Sequence, residues 1–265
     1  LMDAHRLEEA VEYMDAQLAA SPARAAVLWS DADTGKVLYA HDPEVRVASA
    51  STIKTPLMLT LLEGVRTGAL ALDQAVPVPR EAVLADTRVF ELGRDAYPLG
   101  ELIYWMITES DNTATNLLIP LAGMDAVNTY CQGVLGCRNT TLGRRMLDFD
   151  AAKTGRDNYT SARDMESVFV HLYRQDILTP ALCGWALDIL RRQRWSDQFL
   201  RYIPDDLRPA HKTGTLSHLS HDCGLFWLPR GAYYLGVFLW DTPDAGGDKR
   251  LVGRIAKAAW DACRG

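Results

Sequence analysis

The sequence predicts a mixed α/β protein of the α+β type, with strands contributed by both ends of the chain and helices by the middle. Apolar runs typical of strands occur at residues 25–30 and 36–42, and again after residue 210. Between about 70 and 200, apolar side chains recur mostly at helical spacing. The simplest packing is one antiparallel sheet built from both chain ends, flanked by terminal helices, with an inserted all-helical lobe.

The 265 residues are enough for one large domain, and no repeat, low-complexity tract or flexible linker divides them. We therefore expect a single domain over residues 1–265. Its sheet lobe is expected to comprise about 1–50 and 205–265, and its helical lobe about 51–204. An active site would lie in the crevice between the two lobes.

Local sequence features predict each helix and strand. Helical spacing predicts an N-terminal helix over 3–20, and the turn formers of Asp31–Gly35 join the first two strands. A helix is predicted to run from Thr52 to a stop at Gly68. Pro98 stands in the first turn of the next helix. After residue 210, three strands are predicted in HKTGT, DCGLFWLP and AYYLGVFLWD, and a final helix in KRLVGRIAKAAWDACR.

Composition excludes some functions. A formal charge of −6 and a pI near 5.5, with no local block of Lys and Arg, argue against a nucleic-acid surface. No apolar run reaches the roughly 18 residues needed to span a bilayer. The amphipathic, acidic N-terminus is unlike a signal peptide. The protein is expected to be cytoplasmic if Met2 is the true start, and otherwise exported with its signal removed.

The first chemical motif is Ser51-Thr-Ile-Lys54. Residues three apart share a helix face, so the Lys54 amine can lie beside the Ser51 hydroxyl. A serine hydroxyl is a weak nucleophile until a base takes its proton, and a lysine with a lowered pKa can be that base. Taken alone, the motif is better explained as a helix N-cap followed by a surface lysine.

The second motif, Ser110-Asp111-Asn112, lies at a predicted junction between two helices. Ser110 could carry a proton to a leaving group, and Asn112 could hydrogen-bond a substrate amide, while Asp111 holds the turn. The alternative is simple helix capping, because Ser, Asp and Asn are all favoured N-caps.

The third motif, Lys212-Thr213-Gly214-Thr215, opens a predicted strand. Lys212 adds positive charge, Thr213 and Thr215 offer hydroxyls to a substrate carboxylate, and Gly214 allows substrate to approach the strand closely. The alternative is an exposed turn before an edge strand.

Together the motifs read S-x-x-K, S-D-N and K-T-G in that order, separated by about 60 and 100 residues, at a helix start, an interhelical junction and a strand. In this the chain resembles class A β-lactamases and the related penicillin-binding proteins. The resemblance runs from about residue 25 to the C-terminus and is marked in SDNTATNLLI. It implies a β-lactamase/transpeptidase-like fold.

The resemblance also implies site roles. Ser51 would be acylated by a β-lactam carbonyl, with Lys54 as base, directly or through Ser110. Ser110 would pass a proton to the ring nitrogen, and the backbone N–H groups of Ser51 and Thr215 would form the oxyanion hole. Lys212, with Thr213 and Thr215, would hold the substrate carboxylate.

Three functions follow from these roles. The first is a serine β-lactamase-like hydrolase, the second a D-alanyl-D-alanine carboxypeptidase, transpeptidase or esterase, and the third a β-lactam-binding protein that acylates and then stalls. The expected partner is a small β-lactam or an acyl-D-Ala-D-Ala-like molecule. The protein is expected to be a monomer without a cofactor.

The long polar segment over 139–160 departs from the family pattern. It is predicted to be an ordered loop, and such loops are usually functional. Class A enzymes carry Leu-x-Arg-x-Glu here, whose glutamate activates the water that releases the acyl-enzyme. This chain reads Leu142-Gly-Arg144-Arg-Met146, which places a methionine at the glutamate position.

The carboxylates around that loop leave its chemistry open. The aspartate that usually pairs with Arg144 aligns best with Asn158, with Asp157 next to it. Asp148 and Asp150 are the nearest carboxylates that could activate water. A cap or a solvated loop position explains both of them equally well.

The remaining candidate ligands support no other mechanism. His218, His221 and Cys223 lie close in sequence but lack the His-x-His-x-Asp-His layout and the carboxylates of a metal hydrolase, so no metal is expected. An odd cysteine number does not suggest a disulfide framework. Cys131 and Cys137 are close enough to pair, and packing as small buried hydrophobes is the alternative.

Overall fold

A computed structural model of the chain describes residues 2–90 and 93–264, and a five-stranded antiparallel sheet lies at its centre. The strands in chain order are β1 (Arg24–Asp31), β2 (Val37–His41), β3 (Val47–Ala48), β4 (Ala75–Pro77), β5 (Ala96–Pro98), β6 (Tyr159–Thr160), β7 (Ala210–Leu216), β8 (Leu219–Trp227) and β9 (Ala232–Trp240). The central sheet has the order β2-β1-β9-β8-β7, so both chain ends build it, as predicted. β7, which carries the third motif, is an edge strand.

The helices in chain order are α1 (Ala4–Ala20), α2 (Lys54–Arg66), α3 (Leu99–Thr108), α4 (Asn112–Ala122), α5 (Met124–Gly133), α6 (Phe149–Lys153), α7 (Ala162–Arg174), α8 (Pro180–Arg191) and α9 (Lys249–Cys263). The terminal helices α1 and α9 pack together on one face of the sheet. Helix α7 packs on the other face, against β1, β8 and β9. Burial on both faces explains the continuous apolar run of β9 and the apolar second half of β8, residues 223–227. The predicted α+β fold class is confirmed.

The predicted start of α2 at Thr52 is wrong. Residues Ala50–Ile53 form a 3₁₀ turn, and the α-helix begins at Lys54. Ala50 has a φ of 47°, in the left-handed region, so a continuous helix cannot begin before it. Ser51 therefore lies in the tight turn that leads into α2, and the backbone N–H of Lys54 donates to the Ser51 carbonyl.

The segment over 139–160 contains more structure than a loop. It includes α6 and ends in β6, which pairs with β3. Directly after β3, the backbone N–H of Ser49 donates to the carbonyl of Asn158 at 2.8 Å. The segment is thereby joined to the turn that holds Ser51. Its sequence lacks a strong period because these elements are only a few residues long.

The structure also bears on the sequence expectations for membrane-spanning helices and for cysteine pairing. Within residues 2–90 and 93–264, no helix has the length and apolarity that a membrane crossing requires. The cysteines are free thiols, and all but the half-buried Cys263 are buried. Cys131 and Cys137 are linked only through the backbone, by an N–H donated from Cys137 to the carbonyl of Cys131 at 2.8 Å.

Candidate active site

A cleft of about 420 Å³ opens between the free edge of β7, the turn that carries Ser51, and the junction between α3 and α4. All three motifs therefore meet at one place. Six of the predicted site residues line this cleft: Ser51, Ser110, Asn112, Thr213, Gly214 and Thr215. The other two, Lys54 and Lys212, are fully buried behind its wall.

Lys54 projects from the first turn of α2 towards the junction between α3 and α4. Its Nζ lies 2.7 Å from the carbonyl oxygen of Ser110, 3.1 Å from the Ser110 hydroxyl and 2.8 Å from Oδ1 of Asn112. The first and second motifs are thus bonded to each other. These contacts are made to Ser110 and Asn112 rather than to the Ser51 hydroxyl, which the helical spacing alone did not predict.

Lys212 approaches the same hydroxyl from the sheet. Its Nζ lies 3.1 Å from Oγ of Ser110 and 2.8 Å from the carbonyl oxygen of Thr213. The Ser110 hydroxyl therefore lies between two amines. It can accept from one and donate to the other, provided that the second is neutral. Ser110 has a φ of 57°, a backbone conformation that non-glycine residues seldom adopt.

The electrostatics of the pair favour a neutral amine. Burial, followed by the nearby positive charge of Lys212, holds the pKa of Lys54 well below its usual range. Burial lowers the pKa of Lys212 to about 7, against the opposing effect of the Asp222 carboxylate. Lys54 can thus act as a base near neutral pH, and proximity of the two amines disfavours charge on both at once.

The second motif is held in place by its own side chains. Asp111 caps α4 by accepting from the backbone N–H of Ala114 at 2.8 Å. Nδ2 of Asn112 donates to Asp86 at 2.8 Å, while its Oδ1 accepts from Lys54. One N–H of the Asn112 amide is left for another partner in the cleft. Asp86 fixes the amide orientation, and no local motif pointed to it in the sequence.

Gly214 has a packing reason to be glycine. A Cβ at this position would lie 3.0 Å from the Cβ of Ala50 and from the backbone nitrogen of Ser51. The strand edge and the turn of Ser51 are therefore in direct contact. A larger residue would push Ser51 away from β7. Glycine at this position therefore lets the strand contact the turn of Ser51 and also lets a substrate approach the strand.

His221 supports the same turn from inside the sheet. It is fully buried and pairs with Gly214 across the β7–β8 ladder. Its Nε2 lies 2.9 Å from the carbonyl oxygen of Ala48, so Nε2 carries the hydrogen and donates. Burial lowers the pKa of His221 to about 4, which keeps the ring neutral at pH 7. Through this bond His221 connects β8 to the end of β3, just before the turn of Ser51.

The cleft also contains residues that no motif indicated. Trp195 and Asp197 come from the segment after α8, and Lys249 from the start of α9. The indole N–H of Trp195 donates to the carbonyl of Glu109 at 3.0 Å, and Lys249 pairs with Asp197 at 2.5 Å. The unusual exposure of Trp195, 39%, is a property of the fold and has no signal in the sequence.

The segment over 139–160 is held by two side chains of different kinds. Arg144 is bonded to Asp157 at 2.6 Å, not to Asn158. The Asn158 side chain instead accepts from the backbone N–H groups of Gly143 and Arg144. Asn158 thus binds the backbone of the segment. The predicted alignment of the aspartate partner of Arg144 with Asn158 is wrong, because Asp157 is the partner.

Met146 lies in that segment and is 8% exposed within the apolar core. The amide of Asn116 clamps its backbone, accepting from its N–H at 2.8 Å and donating to its carbonyl at 3.2 Å. Asp148 caps α6, and Asp150 is exposed and paired with Lys153. Neither aspartate lines the cleft.

Comparison with known proteins identifies the family of the chain. Residues 7–263 match a protein family described as the beta-lactamase enzyme family. The chain belongs to the β-lactamase enzyme family. It is a serine β-lactamase-like hydrolase with the expected transpeptidase-like fold.

The relatives bear the same description. A β-lactamase of Streptomyces fradiae is 31% identical over 247 residues, which is 88% of this chain and 79% of the relative. A β-lactamase of Streptomyces lavendulae is 33% identical over 159 residues, and this match spans 57% of the chain and about half, 51%, of that relative. The crystal structure of a β-lactamase from Sphaerobacter thermophilus DSM 20745 is 28% identical with a TM-score of 0.85, covering 99% of this chain and 98% of that one.

Proposed function

We propose that the chain opens the amide of β-lactams through an acyl-enzyme on Ser51. One observation carries the proposal: beside Ser51 in the cleft, the Ser110 hydroxyl lies 3.1 Å from the amines of both buried lysines, Lys54 and Lys212. A hydroxyl in that position can relay a proton between a base and a leaving group.

The proton path follows from the charges of the two amines. Neutral Lys54 takes the proton of the Ser51 hydroxyl, directly or through Ser110, as Oγ attacks the β-lactam carbonyl. When the ring C–N bond breaks, Ser110 gives its proton to the ring nitrogen and receives one from Lys54. The net transfer is one proton from Ser51 to the departing nitrogen, and Lys54 ends neutral. Cationic Lys212 stabilises the negative charge that develops.

The remaining predicted residues bind the substrate. The backbone N–H groups of Ser51 and Thr215 form the oxyanion hole, where a single donor is worth about 2.7–4 kcal/mol in other enzymes. Lys212, Thr213 and Thr215 hold the substrate carboxylate along the free edge of β7. Asn112 directs its remaining N–H to the substrate amide, and Gly214 keeps the strand edge close to Ser51.

Hydrolysis of the acyl-enzyme is the slow half of the reaction in this proposal. The loop carries Met146 at the position where family members have the deacylating glutamate. A thioether cannot take a proton from water at neutral pH. Asn116, which clamps Met146, lies four residues after Asn112 on α4 and therefore on the same helix face. This supports a position of the loop near the cleft, with no base at residue 146. A penicillin-binding protein or carboxypeptidase that deacylates slowly is the second candidate, and the same methionine favours it.

Intact-protein mass spectrometry after addition of benzylpenicillin tests both candidates. A rapid return to the unmodified mass with one penicilloate released per cycle supports a β-lactamase. An adduct on Ser51 that lasts for hours supports the slow alternative, which release of D-alanine from an acyl-D-Ala-D-Ala peptide would extend to a carboxypeptidase. Absence of any adduct would refute the acyl-enzyme.

Replacement of Met146 by glutamate is expected to speed deacylation by about 10²-fold or more, the usual contribution of a positioned general base. The measurement is the lifetime of the Ser51 adduct, followed by mass after removal of free penicillin. Met146→Gln is the matched control, because it has the same shape and polarity without the base. Equal adduct lifetimes in the two variants would show that this loop position does not reach the water.

His221 is expected to position the turn of Ser51 through its hydrogen bond to Ala48. Removal of the donor in His221→Leu should lower the acylation rate constant by about tenfold while leaving reversible binding of the carboxylate-bearing substrate unchanged. His221→Gln places an amide N–H near the position of Nε2 and should recover most of the rate. Stopped-flow acylation with a chromogenic cephalosporin separates the two steps.

A loss of one hydrogen bond elsewhere controls for general destabilisation. Tyr39→Phe removes the bond to Asp15 on the edge of the sheet near α1 and should leave acylation unchanged. If the leucine and glutamine variants of His221 lose the same rate, the effect is packing and the positioning role is wrong.

A further inference from the structure

A second pocket, of about 380 Å³, lies next to the cleft but shares no lining residue with it. The segment after α8 separates the two. Arg194 and Ser196 line the second pocket, whereas Trp195 and Asp197 line the cleft. Successive side chains of this irregular segment therefore line opposite pockets.

The second pocket is basic in a chain whose net charge is −6. Its charged lining consists of Arg191, Arg192, Arg194 and Arg208 against a single carboxylate, Asp205. Such a concentration of guanidinium groups raises the local positive potential despite the acidic protein, which favours an anion.

Two of these arginines are already paired and two are not. Arg192 is bonded to Asp188 at 3.1 Å, and Arg194 forms an ion pair with Glu109. Arg191 instead stacks on the ring of Trp227, 3.9 Å from its centroid, and Arg208 donates to backbone carbonyls. Neither Arg191 nor Arg208 has a carboxylate partner among residues 2–90 and 93–264.

A buried histidine also lines this pocket. His211 is 1% exposed, and its Nδ1 lies 2.8 Å from Oδ1 of the fully buried Asp222. The other oxygen of Asp222 accepts from the backbone N–H of Phe199 at 3.1 Å, and the imidazole stacks on the Phe199 ring. The ring is thus fixed in place. Its Nε2 makes no hydrogen bond within the part of the chain that the structure describes.

We propose that this pocket binds a phosphate-type oxyanion, such as a diphosphate or a phosphate ester, between Arg191 and Arg208 with His211 at the inner end. Guanidinium groups bind phosphate oxygens in a bidentate manner, and a polyvalent anion can engage several of them at once. With the Nδ1–H of His211 donating to Asp222, Nε2 has a free lone pair that can accept from a protonated oxygen of the anion. The Ser196 hydroxyl is an additional donor at the rim. The site is separate from acylation and does not rest on the proposed function.

Titration of the intact chain with inorganic pyrophosphate, by calorimetry at low ionic strength without divalent cations, tests the proposal. We expect saturable binding of one anion, tighter than that of inorganic phosphate. The double variant Arg191→Gln/Arg208→Gln should weaken binding at least about tenfold. Arg138→Gln/Arg156→Gln, an equal loss of charge at two exposed positions elsewhere, should leave it unchanged.

A measurement on the native chain covers the case in which the double variant does not fold. Pyrophosphate should protect Arg191 and Arg208, but not Arg138, from modification by phenylglyoxal, read out by peptide mass spectrometry. The Ser51→Ala variant should bind pyrophosphate as tightly as the native chain. Absence of saturable binding, an equal loss of affinity in the control variant, or unselective protection would each overturn the proposal.

Discussion

Replacement of Ser51 by alanine is expected to abolish the penicillin adduct and to lower β-lactam turnover by at least about 10⁴-fold, the size of effect seen when other hydrolases lose their nucleophile. The physical reason is that no other hydroxyl takes its place. Ser110, the nearest candidate in the cleft, is hydrogen-bonded between Lys54 and Lys212. The measurement is the intact mass after incubation with benzylpenicillin.

The fold should survive this change, because Ser51 lies in a turn whose backbone bonds do not depend on its side chain. Circular dichroism and the midpoint of thermal unfolding check this. Ser217→Ala, at an exposed position between β7 and β8, is the matched control and should acylate like the native chain. An adduct that persists in the Ser51 variant would assign the nucleophile to another residue.

Replacement of Lys54 by methionine is expected to lower the acylation rate constant by about 10²–10⁴-fold, the usual contribution of general base catalysis. Ser51 and Ser110 then lose the amine that exchanges protons with them. Lys212 is a poor substitute, because a neutral Lys212 could no longer stabilise the negative charge that develops. Stopped-flow acylation with a chromogenic cephalosporin gives the rate constant.

The role of Lys54 as a base also predicts how the acylation rate changes with pH. Only neutral Lys54 is a base, so the native rate should rise with pH as Lys54 loses its proton, well below the usual pKa of a lysine. It should fall again above about pH 7, as Lys212 loses the positive charge that the mechanism needs. That rise should be absent in the Lys54→Met variant. Lys153→Met, at an exposed position on α6, should keep the native profile.

The Lys54→Met variant should be at least as stable as the native chain, although its acylation rate constant falls. Methionine has nearly the volume of the lysine stem and carries no charge to desolvate, so burial of the side chain becomes less costly. The carbonyl of Ser110 and the amide of Asn112 lose a donor in exchange. We expect an unfolding midpoint no lower than that of the native chain. A variant that loses rate only in proportion to lost folded protein would contradict the role of Lys54 as a base.

The order of strands and helices could be predicted from the sequence because each depends on a local period. The terminal helices and the strands β1, β2, β7, β8 and β9 were predicted within a few residues. The turn of Ser51 was misjudged because its conformation depends on Ala50, whose positive φ no local preference of alanine predicts. Short elements such as α6 and β6 were missed because they exist through pairing with distant segments.

The sequence by itself determined which chemistry is present: a serine and a lysine three residues apart, a Ser-Asp-Asn turn and a Lys-Thr-Gly strand in one order. Only the tertiary structure decided where the protons can go. The hydrogen bonds that join the motifs span 56 and 102 residues, and burial by distant elements lowers the pKa of the two lysines. Likewise, packing alone selected Asp157 as the partner of Arg144, placed Trp195 in the cleft and brought four arginines around His211. Local preference acts over a few residues, whereas contact and desolvation depend on how the whole chain packs.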